Sequence, residues 1–543
     1  MKEPAAYNML LSYFPYLSNI RFYAGFLLIG TIVCMLYIHK KLRQNLSVNL
    51  PPGPPRLPLL GSLPWINRSN PSASFTQWAN QYGSVVAFYM GSEINVIIND
   101  AKLARELLIK HADVFQERAN LAGARHTFGV KGGVFNENGH DWKTHRRWLV
   151  TGLRHFGMGK RSLEEQIRVE ASKLCTEIEK EHSNFYPLKY IMNAVSNIIC
   201  SVSFGKRYEY DDPQFQDLLK NVNAFFNYSH RGRIQQAFPF LVKYFVKKKQ
   251  YADSITRFVH THMKEHKDTF DKSNIRDLID MLLLQVEEES EAGESGSSDI
   301  EKSMPSTGKS VYIAGKSVSD GAAYLWRTIL TLFIAGTDTT TNTIMWFLLY
   351  MVCYPAVQRR VHDEIRNATA GERPLKISDR LLVPYFEATI CEVQRLGSIA
   401  ASLLPHRTTS DFVLNGYDIP ANTVFNVNLA FVHTDPKYWN DPFEFKPERF
   451  LDADEKTFRK REAFIPFGLG RRACLGESLA KMEIYIFMSS LLQRFNFELP
   501  ELSPRPSFEP ITGITQSPQY FEVVAKPRNT GLYTKLSIIH KWR

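Results

Sequence analysis

The segment that most constrains this chain is Phe464–Glu477, FIPFGLGRRACLGE, in which Gly468, Gly470 and Gly476 surround two arginines and Cys474. Glycines this close together let a backbone turn tightly and approach a flat ligand. An arginine next to a cysteine stabilises the thiolate and can also pair with anionic groups. The segment therefore predicts a tight loop that presents one cysteine to a bound group.

Two other interpretations of this segment are open on the residues alone. An isolated cysteine is most often an ordinary buried side chain. The spacing Gly468-x-Gly470-x-x-Ala473 also fits the loose form of a dinucleotide-binding loop. The context disfavours a nucleotide loop, because Pro466 precedes it, no β-branched strand leads into it, and no acidic residue follows about 20 positions on.

Cysteine usage and composition exclude several classes of protein. The 543 residues contain six cysteines, too few for a disulfide scaffold, and none of them forms a CxxC pair. Zinc ribbons and thioredoxin-like motifs are therefore excluded. With 36 phenylalanines and 24 tyrosines the chain can bury a large core. A formal charge of +11 indicates an anionic partner, which composition leaves open between nucleic acid, a membrane surface and an acidic protein.

Apolar periodicity predicts a mainly helical body with small β-sheets. Helical spacing recurs over Ala101–Ala112, Trp142–Leu153, Leu163–Ile178, Ala322–Tyr354, Pro355–Thr369, Tyr385–Leu396 and Ser478–Phe495. Alternating runs predict strands over Val85–Met90, Ile94–Ile98, Phe412–Leu414 and Val424–Asn428. No second linker divides the body, so we expect one domain. The polar, Ser- and Gly-rich stretch at about 286–320 predicts a mobile surface loop within it.

The N-terminal region predicts a membrane anchor. Residues 22–38 are uncharged and largely apolar, and a helix of that length covers roughly 26 Å, enough for a thin bilayer. A cleaved signal peptide is the alternative, but a basic cluster follows the apolar run instead of small cleavage-site residues. Lys40, Lys41 and Arg43 outweigh the preceding charges, which places the rest of the chain in the cytosol. The proline-rich residues 51–62 then predict a semi-rigid hinge.

A polar hexapeptide, Ala335-Gly-Thr-Asp-Thr-Thr340, interrupts the longest apolar helix. Thr and Asp favour helix N-caps, so a helix start at this point is one interpretation. Apolar periodicity continues on both sides, which favours a position inside the helix. Polar groups there are costly unless they are paired, so Asp338 and Thr339 are functional candidates.

The loop Phe467-x-x-Gly470-x-Arg472-x-Cys474-x-Gly476 resembles the haem-binding loop of the cytochrome P-450 superfamily. The resemblance extends over about 51–528 and is closest to the animal microsomal branch that handles drugs, steroids and fatty acids. It implies the cytochrome P-450 fold, mainly α with small sheets. The chain would divide into an anchor at 1–50, the hinge at 51–62, a single haem domain at 63–528 and a tail at 529–543.

The resemblance also assigns site residues and cofactors. Cys474 would be the axial ligand of the iron of haem b. Further haem contacts would come from Arg118, Trp142, Arg146, His406, Phe467, Gly468 and Arg472. Thr339 would be the alcohol, and Asp338 the proton relay, of the oxygen-activating helix. Glu392, Arg395 and Arg449 would form a buried structural ion network. Ala335, Leu404 and Ile514 would line the substrate pocket.

The resemblance implies a monooxygenase of the endoplasmic reticulum membrane that inserts one atom of O₂ into a lipophilic substrate. No nucleotide loop is present in the chain, so electrons from NADPH would come through a separate cytochrome P-450 reductase, with cytochrome b5 as a second candidate donor. The alternative is a haem-thiolate isomerase or dehydratase of lipid peroxides, but such enzymes usually lack the acid–alcohol pair. A non-catalytic haem or lipid binder leaves Asp338 and Thr339 unexplained. Nucleic acid is not an expected partner.

Overall fold

The computed structural model describes residues 49–67, 69–119, 133–156, 161–227, 246–295 and 318–528, and in the N-terminal segment residues 25, 28–33 and 35. Most of the predicted anchor at 22–38 lies outside the described residues, although its described positions are helical, and the tail 529–543 lies outside them entirely. Among the described residues, no helix has both the length and the apolar character that crossing a bilayer requires.

Helices make up most of the described body, which confirms the expected mainly helical class. They are α1 (Pro71–Tyr82), α2 (Ala101–Arg105), α3 (Ala112–Phe115), α4 (Gly139–His155), α5 (Arg161–Glu179), α6 (Leu188–Phe204), α7 (Pro213–Asn227), α8 (Val246–Asp268), α9 (Leu278–Ser295), α10 (Val318–Cys353), α11 (Pro355–Thr369), α12 (Pro384–Gly397), α13 (Leu429–Val432) and α14 (Glu477–Arg494). The helix predicted at 101–112 is divided, because a π-helical turn, Glu106–Lys110, separates α2 from α3.

The sheets are small, as predicted. The strands are β1 (Val85–Met90), β2 (Glu93–Ile98), β3 (Glu117–Arg118), β4 (His406–Arg407), β5 (Phe412–Leu414), β6 (Tyr417–Ile419), β7 (Val424–Val427), β8 (Phe495–Glu498), β9 (Ile511–Thr512), β10 (Gln516–Ser517) and β11 (Val524–Pro527). The largest sheet has the order β1-β2-β7-β4-β3, in which β2 and β7 run parallel. Strands β5–β6, β8–β11 and β9–β10 form two-stranded antiparallel pairs.

Helix α10 is the central helix of the described body. It packs most extensively against α6 and also contacts α14, α12 and α9. The approach of α6 requires glycine at position 336, since a Cβ there would lie 2.5 Å from Cδ1 of Ile199. Because α10 begins at Val318, the hexapeptide 335–340 lies well inside the helix. Those residues are therefore interior helical positions and not an N-cap.

The loop predicted at 286–320 is wrong at both of its ends. Residues 286–295 form the last turns of α9, and residues 318–320 form the first turn of α10. The acidic run in 286–295 is rich in glutamate, and glutamate has a high intrinsic helix propensity, so its polarity does not prevent a helix. Of the residues in this predicted loop, 296–317 lie outside the described part of the chain.

The proline-rich residues 51–62 pack directly on the body. The N–H of Ala87 in β1 donates to the Pro52 carbonyl at 3.1 Å. A Cβ at position 53 would lie 1.8 Å from the Ala87 carbonyl oxygen, so Gly53 is required for this approach. The segment is thus fixed against β1, the edge strand of the largest sheet. This contact also fixes the place where the preceding residues join the body.

Candidate active site

The cysteine loop is a tight turn that enters the first turn of α14. The Cys474 N–H donates to the Phe467 carbonyl at 2.8 Å, and the Gly468 N–H donates to the Ile465 carbonyl at 3.0 Å. Gly470 has φ +67°, and a Cβ there would lie 2.2 Å from the carbonyl oxygen of Leu108. The loop is therefore pressed against the π-helical turn, in a conformation that needs glycine.

Cys474 faces a recess of the protein. Its side chain is exposed, yet burial among protein atoms raises the pKa of the thiol. Both observations hold because the sulfur borders an internal space instead of the outer surface. Backbone N–H groups of Gly476 and Glu477 at the start of α14, together with the positive charge of Arg146, lower the pKa and so favour the thiolate.

Three arginines from separate elements converge beside this loop. Arg146 of α4 donates from Nη2 to the Ala473 carbonyl at 2.8 Å, and Arg118 of β3 donates from Nη1 to the Leu404 carbonyl at 2.7 Å. Arg472 donates from Nε to the Gln116 carbonyl at 2.9 Å. Asn138 joins two of them, because its Oδ1 accepts from the Arg118 N–H at 2.7 Å and from Arg472 Nη2 at 2.8 Å.

The cluster of Arg118, Arg146 and Arg472 is electrostatically unfavourable on its own. Burial, and then the charge of Arg146, lower the pKa of Arg118 to about 10. Burial, and then Arg118 and Arg146, lower the pKa of Arg472 to about 9, although Glu117 and Glu137 partly oppose this shift. All three guanidinium groups remain charged near neutral pH. An anionic ligand would therefore relieve their mutual repulsion.

Several buried donors at this position have no partner within the protein. Among the described residues, Arg118 Nε, Trp142 Nε1 and Arg472 Nη1 are buried without a hydrogen-bond acceptor. The guanidinium of Arg472 lies over the Trp142 ring, with Cζ 3.7 Å from the ring centroid. Unsatisfied buried donors of this kind are costly, which indicates acceptors on a bound group.

His406 adjoins the arginines through the sheet. In the β3–β4 register, His406 is the partner of Arg118. Burial, and then Arg118, lower the pKa of His406 well below its usual value, and Arg472 contributes in the same direction. The neutral ring donates from Nδ1 to the Phe115 carbonyl at 2.7 Å, which leaves Nε2 as an acceptor. An anion beside the arginines would raise the pKa of His406 and favour a proton on Nε2.

On α10, Ala335 and Thr339 are only partly buried, whereas Thr337, Asp338 and Thr340 are buried. Since Ala335 and Thr339 are four residues apart, they share one face of the helix, and that face borders open space. The Thr339 hydroxyl donates to the Ala335 carbonyl at 2.7 Å, so its oxygen stays available as an acceptor.

Asp338 is held from two directions. Thr515 Oγ1 donates to Asp338 Oδ2 at 2.5 Å, and Asn342 Nδ2 donates to the same oxygen at 3.0 Å. Burial raises the pKa of Asp338 to about 7, while these two hydrogen bonds oppose that shift. The carboxyl group is therefore poised to gain and lose a proton near neutral pH.

The segment 399–406 connects the α10 face to the arginine cluster. At one end, the Ile399 carbonyl accepts from the Gln516 N–H at 2.8 Å, next to the Thr515–Asp338 contact. Farther along, Leu403 packs on the cysteine loop, since its Cδ2 would lie only 3.2 Å from a Cβ added at Gly468. The Leu404 carbonyl then accepts from Arg118. The segment 399–406 therefore contacts the cysteine loop, Arg118 of the arginine cluster and the β9–β10 hairpin, whose Thr515 bonds Asp338.

The predicted pocket residues Ala335, Leu404 and Ile514 all have side chains that are at least partly exposed. Leu404 is 38% exposed and Ile514 is 43% exposed, although both lie in segments that pack on buried neighbours. Leu404 lies in the segment 399–406, and Ile514 lies in the hairpin that is bonded to Ile399 through the Gln516 N–H.

Glu392, Arg395 and Arg449 form a buried ion network away from this space. Glu392 and Arg395 are 0% exposed, and they pair through two hydrogen bonds of 2.7 and 2.8 Å. Arg449 Nε reaches Glu392 Oε1 at 3.0 Å. Arg395 Nη1 also donates to the carbonyls of His433 and Pro442, each at 2.7 Å. The network joins α12 to the loops that precede the cysteine loop.

Comparison with known proteins decides the family. The family model for "Cytochrome P450" matches residues 51–307 and 321–524. Cytochrome P450 2U1 of Mus musculus is 36% identical over 90% of this chain and 92% of its own length. The chain belongs to the cytochrome P450 family. Cytochrome P450 2J2 of Homo sapiens is 36% identical, and cytochrome P450 2J5 of Mus musculus 34% identical, each over 92% of this chain and 96% of its own length. The predicted family and monooxygenase activity are confirmed.

Cytochrome P450 enzymes are haem-thiolate proteins that use haem b and O₂. The residues of this chain fit that cofactor. The Gly468–Gly470 turn packs closely on Leu403 and Leu108, and Cys474, four residues after Gly470, is an accessible thiol that could bind the iron. Arg118 is buried, Arg146 and Arg472 are partly buried, and the unsatisfied donors at Arg118, Arg472 and Trp142 suit the two propionate groups of haem b.

The fit of Trp142 to a propionate can be tested by removing a single donor. Trp142→Phe retains a ring beneath Arg472 but removes the unsatisfied Nε1–H. We expect haem to transfer to an excess of apomyoglobin about tenfold faster, because a hydrogen bond to a charged acceptor is lost. Trp148→Phe on the same helix is the matched control and should leave the transfer rate unchanged. Equal rates for the two variants would contradict a contact between Trp142 and haem.

The sequence motifs did not predict three residues that contact the candidate site residues of this cytochrome P450. Asn138 organises the arginines, while Asn342 and Thr515 hold Asp338. Asn342 could have been found, since it lies one helical turn after Asp338 on the same face. The other two are brought into place by contacts between distant parts of the chain, for which the local sequence carries no signal.

Proposed function

We propose that this chain is a membrane-bound cytochrome P450 monooxygenase that hydroxylates a lipophilic substrate with electrons from NADPH, delivered by a separate flavoprotein reductase. The net reaction consumes the substrate, O₂, two electrons and two protons, and yields hydroxylated substrate and water. The acid–alcohol pair carries the proposal. Asp338 is buried with a pKa near 7, and the adjacent Thr339 borders the open space. The peroxide-dependent alternative gives no role to this pair.

Each site residue has a physical role in this proposal. Bound haem b supplies the iron centre at which O₂ is activated for insertion into a C–H bond. Cys474 would bind the iron through its thiolate, and the hydrogen bond from the Cys474 N–H to the Phe467 carbonyl holds the loop that presents it. Arg118, Arg146, Arg472, Trp142 and His406 would hold the propionates. Phe467 and Gly468 would contribute further contacts to the cofactor.

Proton delivery would use two neighbouring side chains of α10. Asp338, which titrates near neutral pH, exchanges protons with water and passes them toward the α10 groove. The Thr339 hydroxyl, anchored to the Ala335 carbonyl, orients the proton acceptor on the substrate side. Asp338 stays in place because Thr515 and Asn342 hold its carboxyl group.

A basic surface next to the cysteine loop would receive the reductase. Lys143 and Arg147 are exposed on α4, whose Arg146 contacts the loop, and Arg471 is exposed within the loop itself. Like charges grouped on one face attract an acidic partner and speed its association. Cytochrome b5 is a second candidate for the same surface.

The membrane proposal is supported by the sequence at 22–38 and by the path of the chain after it. An uncharged apolar run followed by Lys40, Lys41 and Arg43 favours a single-pass anchor in the endoplasmic reticulum, with the catalytic domain in the cytosol. The segment 51–62 packs on β1 and would fix the orientation of the body relative to that anchor.

The proposed function is tested with the full chain in microsomal membranes, using a panel of fatty acids, steroids and xenobiotics. We expect hydroxylated product only when NADPH and the reductase are both added. Turnover with a lipid hydroperoxide alone, without NADPH, would support the isomerase or dehydratase alternative. Full turnover without either electrons or peroxide would contradict both.

Thr339→Ala should separate electron consumption from product formation. We expect haem binding to be retained, product formation to fall by up to about 100-fold, and electrons to appear as released hydrogen peroxide, because a group that orients proton transfer is lost. Thr341→Ala is the matched control, since Thr341 makes the same kind of hydrogen bond to Thr337 but is buried away from the groove. The measurement is product and peroxide per NADPH consumed. Unchanged coupling in Thr339→Ala would remove this residue from the proton path.

A further inference from the structure

The carboxyl group of Asp338 is held by a residue that lies 177 positions later in the chain. Thr515 Oγ1 donates to Asp338 Oδ2 at 2.5 Å, and Asn342 Nδ2 lies 3.5 Å from the same threonine hydroxyl. Thr515 is 7% exposed and Asp338 is 3% exposed, so water does not compete strongly for this contact. The three side chains form a closed buried group, in which the hydroxyl makes the shortest contact to the acid.

The backbone around Thr515 is fixed on all sides. Thr515 lies in the turn between β9 and β10, where its carbonyl accepts from the Gly513 N–H at 2.9 Å. The Gln516 N–H donates to the Ile399 carbonyl at 2.8 Å, and the Gln516 carbonyl accepts from Trp346 Nε1 at 3.2 Å. The hairpin is therefore attached to α10 and to the segment 399–406. This attachment leaves the Thr515 hydroxyl little freedom to turn away from Asp338.

The charge state of Asp338 depends on neutral donors. Burial raises the pKa, and the only groups that oppose it among the described residues are Thr515 and then Asn342. From α6, Ser196 approaches Thr337 at 3.4 Å. From α14, Glu483 bonds Thr340 on α10, and it is not one of the groups that shift the pKa of Asp338. Removing one donor should therefore move the pKa of Asp338 directly.

We propose that Thr515 is a positioning residue for proton delivery, and that its hydroxyl both orients the Asp338 carboxyl group and sets the pH at which this acid exchanges protons. The inference rests on the proposed role of Asp338 in the monooxygenase reaction. Ile514, the neighbour of Thr515 in the hairpin and a predicted pocket residue, is 43% exposed, whereas Thr515 is 7% exposed and bonds Asp338. One short turn thus carries a candidate substrate contact next to the residue that holds the acid.

The test compares Thr515→Val, which keeps the β-branched shape but lacks the hydroxyl, with Thr515→Ser, which keeps the hydroxyl. The readout is product formed per NADPH consumed, measured across the pH range with the reductase present. In Thr515→Val the charged form of Asp338 loses a donor, so the midpoint of the profile should move upward by about one pH unit. Thr515→Ser should restore the wild-type midpoint. The carbon monoxide difference spectrum and the apparent KM should stay unchanged in both variants.

Three comparisons make the result decisive. Thr512→Val alters the paired strand of the hairpin without removing a donor to Asp338, and its profile should match that of the wild type. Asp338→Asn should abolish the titration altogether. If Asp338→Asn removes the midpoint but Thr515→Val leaves it in place, the inference about Thr515 is wrong while the role of Asp338 stands. If the midpoint persists in Asp338→Asn, both are wrong. Thr515→Ala replaces the valine variant if that variant does not fold.

Discussion

Replacing Cys474 with serine should abolish product formation and remove the thiolate-type Soret shift from the reduced carbon monoxide complex. The serine hydroxyl stays protonated at neutral pH, so the N–H groups of Gly476 and Glu477, which favour a negative sulfur, would have no anion to stabilise. Without a thiolate the electron donation that promotes O–O cleavage is lost. Product formation should therefore fall below detection even with saturating reductase.

The matched control is Cys353→Ser, which changes a partly buried cysteine at the end of α10. Its spectrum and activity should match those of the wild type. Haem content must be measured separately for Cys474→Ser, because the arginine cluster and Trp142 can still hold the propionates. A Cys474→Ser protein that kept the thiolate-type spectrum would rule out this residue as the ligand.

Much of the helical architecture was predictable, because amphipathic helices carry their burial pattern in the local sequence. Pro355–Thr369 begins at a proline and keeps one apolar face, and its predicted bounds agree with α11. The cysteine loop was recognisable from its motif, although the contacts that its glycines accommodate come from Leu108 and Leu403, which are distant in the sequence. The acidic end of α9 was not predictable in this way, because a polar run is typical of a loop, yet glutamate-rich segments are also good helix formers.

The contacts that assemble the site could not be predicted in the same way. Arg118 and His406 become neighbours only through the β3–β4 pairing, and Thr515 reaches Asp338 across 177 residues. Such pairings depend on the path of the whole chain, and each residue alone is unremarkable in its local sequence. The motifs predict functional groups on α10 and in the cysteine loop, whereas the structure shows which side chains and backbone groups contact them and shift their pKa values.

Buried carboxylates in this protein illustrate that burial alone does not define a catalytic acid. Among the described residues, only the neutral donors Thr515 and Asn342 lower the pKa of Asp338, and burial raises it to about 7. Glu483 is also fully buried, and its pKa rises to about 8, with one hydrogen bond to Thr340. Glu392 is equally buried, but two arginines surround it. An acid paired with two cations stays charged and supports the fold, whereas an acid held by a hydroxyl and an amide can exchange its proton.

Glu392→Ala should therefore lower the free energy of unfolding, because Glu392 supports the fold and takes no part in the reaction. The substitution leaves Arg395, which is 0% exposed, and Arg449 without their carboxylate partner. Breaking a buried ion network from one side typically costs about 3–5 kcal/mol, a large share of the stability of a domain. We expect the urea concentration at the midpoint of unfolding to fall sharply. The Soret band of the haem-loaded protein is the signal that monitors this unfolding.

The effect should also reach the cysteine loop. Arg395 donates to the His433 carbonyl, and burial, then Arg395, lower the pKa of His433 to about 3, so this histidine is neutral. Its Nε2 accepts from the Ile465 N–H at 3.2 Å, where the cysteine loop begins. Loss of Glu392 should thus loosen the loop and convert part of the haem to a form without the thiolate spectrum before global unfolding.

The control is Glu265→Ala, which removes an ion pair with Lys206 whose two side chains are about half exposed. An exposed pair contributes less than about 1 kcal/mol, so this variant should unfold close to the wild-type midpoint. Glu392→Gln separates charge from shape, since it keeps the side-chain volume but leaves two buried cations uncompensated, and it should resemble Glu392→Ala. If Glu392→Gln unfolded like the wild type, hydrogen bonding and not charge balance would hold this network together.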